Sequence, residues 1–428
     1  MKNMINFISL FAVSAAFSTF ADPTVQSVIM AQADDRTVTI TYTLSEAPAV
    51  VTLDIETNGV SIGGANIQYV AGDVNKKVSD KATYTITWRP DVSWQGNLAD
   101  AQAVVTAWPL DNTPDYMVVD LTAPKTDNVR YYTSTNFFPG GLLSNRKYRT
   151  TSVVMRKILA KGVTWNMGCG VDDVSRVGDN TENLHAVMLT NNYYIGVFEV
   201  TQAQWALVQP NRSALSTDFS LEEYKTMRPI AGVCYNEIRM ADNSTTAHAD
   251  AEEWPGAPYS GSFLGRLRSK TDIDFDLPSD AEWEYACRAE HGDSEWNNGV
   301  SYTSSTIAST VPGRYTGNGG NQTTVNTISY ASCTDANGTA VCGSYAPSSW
   351  GLYDMHGNVG EWCLDWYKAD LTGTDGSVVT EKQTNRVRRS GLGSDNIMRL
   401  RSAARVGNKP NLQHQYIGFR LACRVGLK

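Results

Sequence analysis

The stretch Gly351–Trp366 reads GLYDMHGNVGEWCLDW, and it decides how the second half of the chain is read. Asp354 and Glu361 place two carboxylates seven residues apart. Between them, Gly357 and Asn358 tolerate the backbone of a tight turn that can aim carbonyls inward. Calcium takes six to eight oxygens from carboxylates and carbonyls, so this is a candidate calcium loop. A hydrogen-bonded turn without metal is the other reading. Glu361 lies between Gly360 and Trp362, an apolar setting that demands a partner if it is buried.

The same setting recurs outward from this stretch. Glu199 sits in Phe198-Glu199-Val200 and Glu284 in Trp283-Glu284-Tyr285, while Arg401, Arg405 and Arg420 have similarly apolar neighbours. Buried charges normally pair, so internal salt bridges holding a loop-rich fold are expected, ahead of a direct functional role. Two helices are predicted. In Val200–Val208, Thr201 and Gln204 form a capping box; in Pro278–Ala289, Ser279 and Glu282 form another. Trp283, Ala286 and Cys287 give the second helix a buried stripe.

In chain order the motifs are Trp165-Asn166-Met167-Gly168, Tyr193–Trp205 (YYIGVFEVTQAQW), Arg228–Tyr235 (RPIAGVCY), Leu277–Ala289 (LPSDAEWEYACRA), Gly351–Trp366, Arg401–Arg405 (RSAAR) and Ile417–Ala422 (IGFRLA). Together they resemble the sulfatase-modifying factor family, which includes the formylglycine-generating enzymes, over roughly Val163–Val425. The resemblance implies an irregular α+β domain with a C-type-lectin-like core. It also implies calcium held by the side chains of Asp354 and Glu361 and the carbonyls of Gly357 and Val359. The family's usual Trp after Asn-Val is Gly360 here, which removes one packing contact.

Formylglycine-generating enzymes oxidise a substrate cysteine with two cysteines that bind copper(I), a soft ion suited to thiolates. The family places both between an Arg-Gly-Gly-Ser element and the Arg-(Cys/Ser)-Ala-x-Arg element. Here that interval runs from Arg389-Ser390-Gly391-Leu392 to Arg401–Arg405, and Gly393–Leu400 (GSDNIMRL) contains no cysteine. No catalytic residue is assigned, and copper is not expected. His185, His248, His291, His356 and His414 form no cluster of the kind that related iron enzymes use.

The remaining cysteines carry a structural expectation. Cys333 and Cys342 flank a segment with the hairpin signal Asn337-Gly338, and a disulfide between them is predicted in an exported protein. Export follows from Met1–Ala21, with Lys2, an apolar run from Ile5 to Phe17, and small residues before Asp22. That run is shorter than the roughly 20 residues needed to span a bilayer. A periplasmic or extracellular location is expected, with no membrane span after signal cleavage.

Residues 22–125 have a different texture. Arg36–Leu44 reads RTVTITYTL, with Val38, Ile40, Tyr42 and Leu44 on one face and threonines on the other. Similar runs at Ala49–Ile55, Ala82–Trp88, Ala103–Trp108 and Tyr116–Leu121 predict a small all-β sandwich, acting as a spacer or adhesive module. Residues 126–150 are read as a linker and 151–428 as the family-like domain. The fold class is therefore α+β, an irregular domain preceded by an all-β sandwich. The chain carries a net charge of −8 with no basic stretch, which argues against nucleic acid.

Three functional readings are open: a silent family member binding an unidentified protein or glycan, a formylglycine-type oxidase acting on a sulfatase cysteine, or a display protein with a variable loop at about Leu392–Tyr416. The first is favoured. Asp395, Asn396, Gln413, His414 and Tyr416 are its candidate partner-binding residues, a polar and aromatic mixture suited to adaptable recognition.

Overall fold

A computed structural model of the chain describes residues 22–170, 181–210, 226–242, 244–292, 295–302, 310–319 and 338–426. The period-two reading of the N-terminal module holds. Strand Val38–Leu44 buries Val38, Ile40 and Tyr42 and leaves Thr39 exposed. It lies between Val25–Gln32 and Tyr84–Trp88 in a four-stranded sheet completed by Val70–Gly72. A second sheet is built on Ala49–Thr57, paired with Val60–Ser61, Lys76–Val78 and Ala101–Trp108. The two sheets close over a core containing Ile40, Leu53, Ile55, Ile86 and Trp88.

The boundary after this module differs from the expected one. Strand Tyr116–Asp120 does not join the sandwich. It pairs antiparallel with Val129–Tyr132 on one side and Ser152–Ile158 on the other. The five-stranded sheet continues through Tyr193–Gly196 to Ala422–Arg424 near the chain's end. Residues 126–150 are thus built into the second domain: Phe138 and Tyr148 are fully buried beside Tyr116 and Val154.

The second domain is α+β with little regular structure, as expected. Both predicted helices form, Gln202–Val208 and Asp280–Arg288, each with its capping box complete. A third, Phe263–Thr271, starts at the Ser262 cap. Trp205 stacks on Phe263 at 4.7 Å between ring centroids, and both rings meet Phe419 edge-on. A four-stranded sheet, ordered Val406–Asn408, Arg386–Arg389, Gly360–Trp366, Ile417–Gly418, carries the diagnostic stretch through the centre of the domain. Every residue of Gly360–Trp366 is buried. Among the described residues no helix is long and apolar enough to cross a membrane.

Candidate functional site

Most of the motif charges are structural. The Arg420 guanidinium donates from Nε and Nη2 to the two oxygens of Glu361, each at 2.6 Å, and Trp283 Nε1 donates to the same carboxylate at 2.6 Å. Glu284 accepts from Arg288 Nε at 2.8 Å and forms an ion pair with Arg389 at 2.9 Å; Asp280 accepts from Arg389 Nε and, at 2.8 Å, from Arg405 Nε. Arg401 pairs with Glu182 at 2.6 Å and also with Glu295. These alternating chains of guanidinium and carboxylate tie the helix Asp280–Arg288 to the last strands. The salt-bridge expectation therefore describes Glu284, Glu361, Arg401, Arg405 and Arg420.

Glu199 is the exception. Among the described residues its carboxylate meets neutral donors: Val359 N–H at 3.1 Å, the Asn358 amide at 2.7 Å and the Cys342 thiol at 3.5 Å. Asp354 lies beside it, with Oδ2 accepting from Gly343 N–H at 2.6 Å and Oδ1 buried without a hydrogen-bond partner. Donor atoms of Glu199, Cys342 and Asp354 all fall within 4.8 Å of one another. Burial, then the neighbouring Asp354 and Glu361, push Glu199 well above the usual carboxylate range. Burial also raises Asp354 to about 6.

The turn in the diagnostic stretch forms as its residues suggest. Gly357 and Asn358 take φ of +84° and +64°, and a Cβ at Gly357 would sit 2.1 Å from the Arg314 carbonyl. Asp354, Gly357, Val359 and Glu361 all lie in one buried stretch. Both Glu361 oxygens are taken by Arg420, and the Gly357 carbonyl accepts from the Ser390 hydroxyl at 2.9 Å. The structure also groups Asp354 with Glu199 and Cys342, residues distant in sequence.

Cys169, Cys234, Cys287, Cys342, Cys363 and Cys423 are all buried, free thiols. Burial lifts Cys169, Cys234, Cys287 and Cys423 to about 12, and Cys342 and Cys363 well above the usual range. None of these six is a thiolate at neutral pH. Cys333, the other half of the predicted disulfide, lies outside the described residues; Cys342 turns its sulfur towards Glu199.

The expected partner-binding residues separate into two groups. Asp395 and Asn396 shape the loop: Asp395 Oδ2 accepts from Leu392 N–H at 2.9 Å, and Asn396 caps the 3-10 turn Ile397–Leu400. Tyr416 is 2% exposed and its carbonyl accepts from Gly360 N–H, so it belongs to the core. The His414 carbonyl accepts from Gly232 and Ile417. Gln413 borders an open depression of about 550 Å³ with Asn385, Gly407, Asn408, Lys409, Asn411 and Leu412. Sequence reasoning passed over Asn385, Asn408 and Lys409. The signal available was the turn-forming run Gly407-Asn408-Lys409-Pro410-Asn411, which leaves Lys409 and Asn411 exposed.

The family model described as sulfatase-modifying factor enzyme 1-like domain matches residues 145–425. The formylglycine-generating enzyme of Thermomonospora curvata is 31% identical over 161 residues, covering 34% of this chain and 48% of that protein. The Mus musculus formylglycine-generating enzyme is 29% identical over 157 residues, covering 34% and 38%. The chain thus spans about half or less of these relatives' length. Among solved structures, PvdO from Pseudomonas aeruginosa is 24% identical, with 63% of this chain and 94% of that one covered at a TM-score of 0.46. Treponema denticola variable protein 1 is 22% identical, with 64% and 96% covered at a TM-score of 0.46. The chain belongs to the sulfatase-modifying factor enzyme 1-like domain family.

Proposed function

We propose that this chain is an exported binding member of its family, recognising a protein or glycan ligand rather than oxidising cysteine. The observation that carries the reading is the interval Gly393–Leu400, which holds Ser394, Asp395, Asn396 and Met398 but no cysteine. Copper(I) chemistry on a thiol needs soft anionic ligands, and one neutral thioether is a poor substitute for two thiolates. The six described thiols are all buried. The depression bordered by Asn385, Asn408, Lys409, Asn411 and Gln413 supports the binding role. Its amides both donate and accept, and Lys409 adds one cation, a set suited to hydroxyls or peptide groups. The Asn396 cap and the bond from Thr316 N–H to the Asp395 carbonyl at 3.1 Å hold the adjoining loop in one shape.

The test pairs two measurements on the full chain without its leader. Copper(I) titration with a cysteine-peptide oxidation assay should give no turnover. Glycan and peptide arrays should give a ligand whose binding is lost in Asn411→Ala and Lys409→Glu at unchanged melting temperature. Copper-dependent oxidation of the peptide would overturn the reading. It would favour the alternative, a formylglycine-type oxidase acting on a sulfatase cysteine, which the relatives' names recommend.

A further inference from the structure

Arg388 is 5% exposed, yet its cation is only partly met. Among the described residues Nε is the one guanidinium nitrogen that hydrogen-bonds, to Asn408 Oδ1 at 2.9 Å, while Nη1 is buried without a hydrogen-bond partner. Asp395 Oδ2 stands 3.9 Å from Nη1, an ion-pair distance rather than a hydrogen bond, and that oxygen already accepts from Leu392 N–H. Arg389, Arg401, Arg405 and Arg420 differ, each holding a carboxylate at 2.9 Å or closer. Burial outweighs the help of Asp395, and Arg399 adds repulsion, so the guanidinium is held down at about 10. A buried cation with unmet N–H donors is costly unless an anion takes them.

A glycine makes room for it. A Cβ at Gly360 would stand 2.5 Å from Arg388 Nη1 and 2.6 Å from its Cδ, so the arginine lies across bare backbone. The bond to Asn408 then ties the guanidinium to the wall of the surface depression, which Asn408 borders. Lys409 adds a second cation on the same border. Of the side chains lining the depression only Leu412 is apolar; the rest are amides and that lysine. Amides that both donate and accept match sugar hydroxyls, whereas a peptide would need a pocket for its apolar side chains. Nη1 and Nη2 are the fork left over, and a guanidinium fork matches the two oxygens of a carboxylate.

We infer that the ligand of this face is an acidic glycan, whose sugar carboxylate docks on Arg388 while its hydroxyls meet the surrounding amides. The inference rests on the binding reading above and names the chemical class of its ligand.

The experiment uses the full chain without its leader and an array of uronic- and sialic-acid glycans, each beside its carboxyl-reduced counterpart. At least one acidic glycan should bind, and carboxyl reduction should weaken it at least about 10-fold, the weight of one charge-assisted hydrogen bond. Arg388→Met should abolish that preference without lowering the melting temperature, because an apolar chain in place of a buried, poorly paired cation is neutral or stabilising. Asp395, with 20% of its side chain exposed, stays hydrated in that variant. Gly360→Ala keeps the charge but displaces the guanidinium, so it should lower the preference as well, and it carries the test if Arg388→Met fails to fold. Acidic and reduced glycans bound alike, or a preference that survives both substitutions, overturn the role of Arg388 and leave the binding reading standing. Peptides bound at the Asn411 face with no glycan bound do the same. No ligand of either kind overturns both.

Discussion

Arg420 grips Glu361 with two parallel bonds of 2.6 Å, and both residues are at 0% exposure. Removing one partner of such a pair strands a charge where water cannot reach it. Glu361→Gln should therefore cost about 3–5 kcal/mol in urea unfolding. Asp127→Asn should cost only about 0–1 kcal/mol, because Arg130 and Asp127 meet in solvent with 34% and 56% of their side chains exposed. Similar losses for the two variants would refute the division between structural and incidental pairs.

His356 gives the acid limb of stability. Its Nδ1 donates to the Leu400 carbonyl at 2.7 Å, Nε2 accepts from Asn297 N–H at 3.2 Å, and burial holds its pKa down at about 4. The folded form stays neutral while the unfolded chain takes up a proton below about 6.5. This contribution is complete above that pH and is lost as pH falls towards 4, by about 3 kcal/mol. His356→Gln should flatten the decline in unfolding midpoint over that window.

Asp365 acts in the opposite sense. Burial and the adjacent Asp280 raise it to about 7. The folded carboxyl keeps a proton that the unfolded chain releases above about 3.9. Its contribution is present in acid and is lost as pH rises through 7. Asp365→Asn should remove that loss, so the difference between wild type and variant should grow between about pH 4 and 7.

The loop residues first read as ligand contacts should behave as structure. Asn396→Ala removes the cap on Ile397–Leu400 and should cost about 0.5–2 kcal/mol. Asn411→Ala should leave the melting temperature unchanged and affect ligand binding alone. Calorimetry on the two variants separates these roles.

What was legible depended on range along the chain. Val38, Ile40 and Tyr42 announce their strand locally, and Thr201 with Gln204 and Ser279 with Glu282 announce their helix starts within four residues. Helix Phe263–Thr271 was not read, because Gly265, Arg266, Arg268 and Lys270 break its apolar stripe and Ser262 has no acidic or amide partner three residues on. That Glu284 and Glu361 require cations was readable from their neighbours; that the cations are Arg389 and Arg420 was not. Strand Tyr116–Asp120 was visible as a strand, but its partners are set by a ladder that the local alternation does not encode. Glu199 and Cys342 are 143 residues apart, and no local pattern joins them.

The strand Tyr116–Asp120 also has a mechanical meaning. Load applied through the N-terminal module would not reach a slack tether at residues 126–150. It would reach two antiparallel ladders, running from Tyr116 to Asp120 against Ser152–Ile158 and Val129–Tyr132. A strand held on both edges shares the load across its bonds rather than breaking them singly. Pulling on the module therefore loads the second domain's sheet at Tyr116, ahead of residues 126–150.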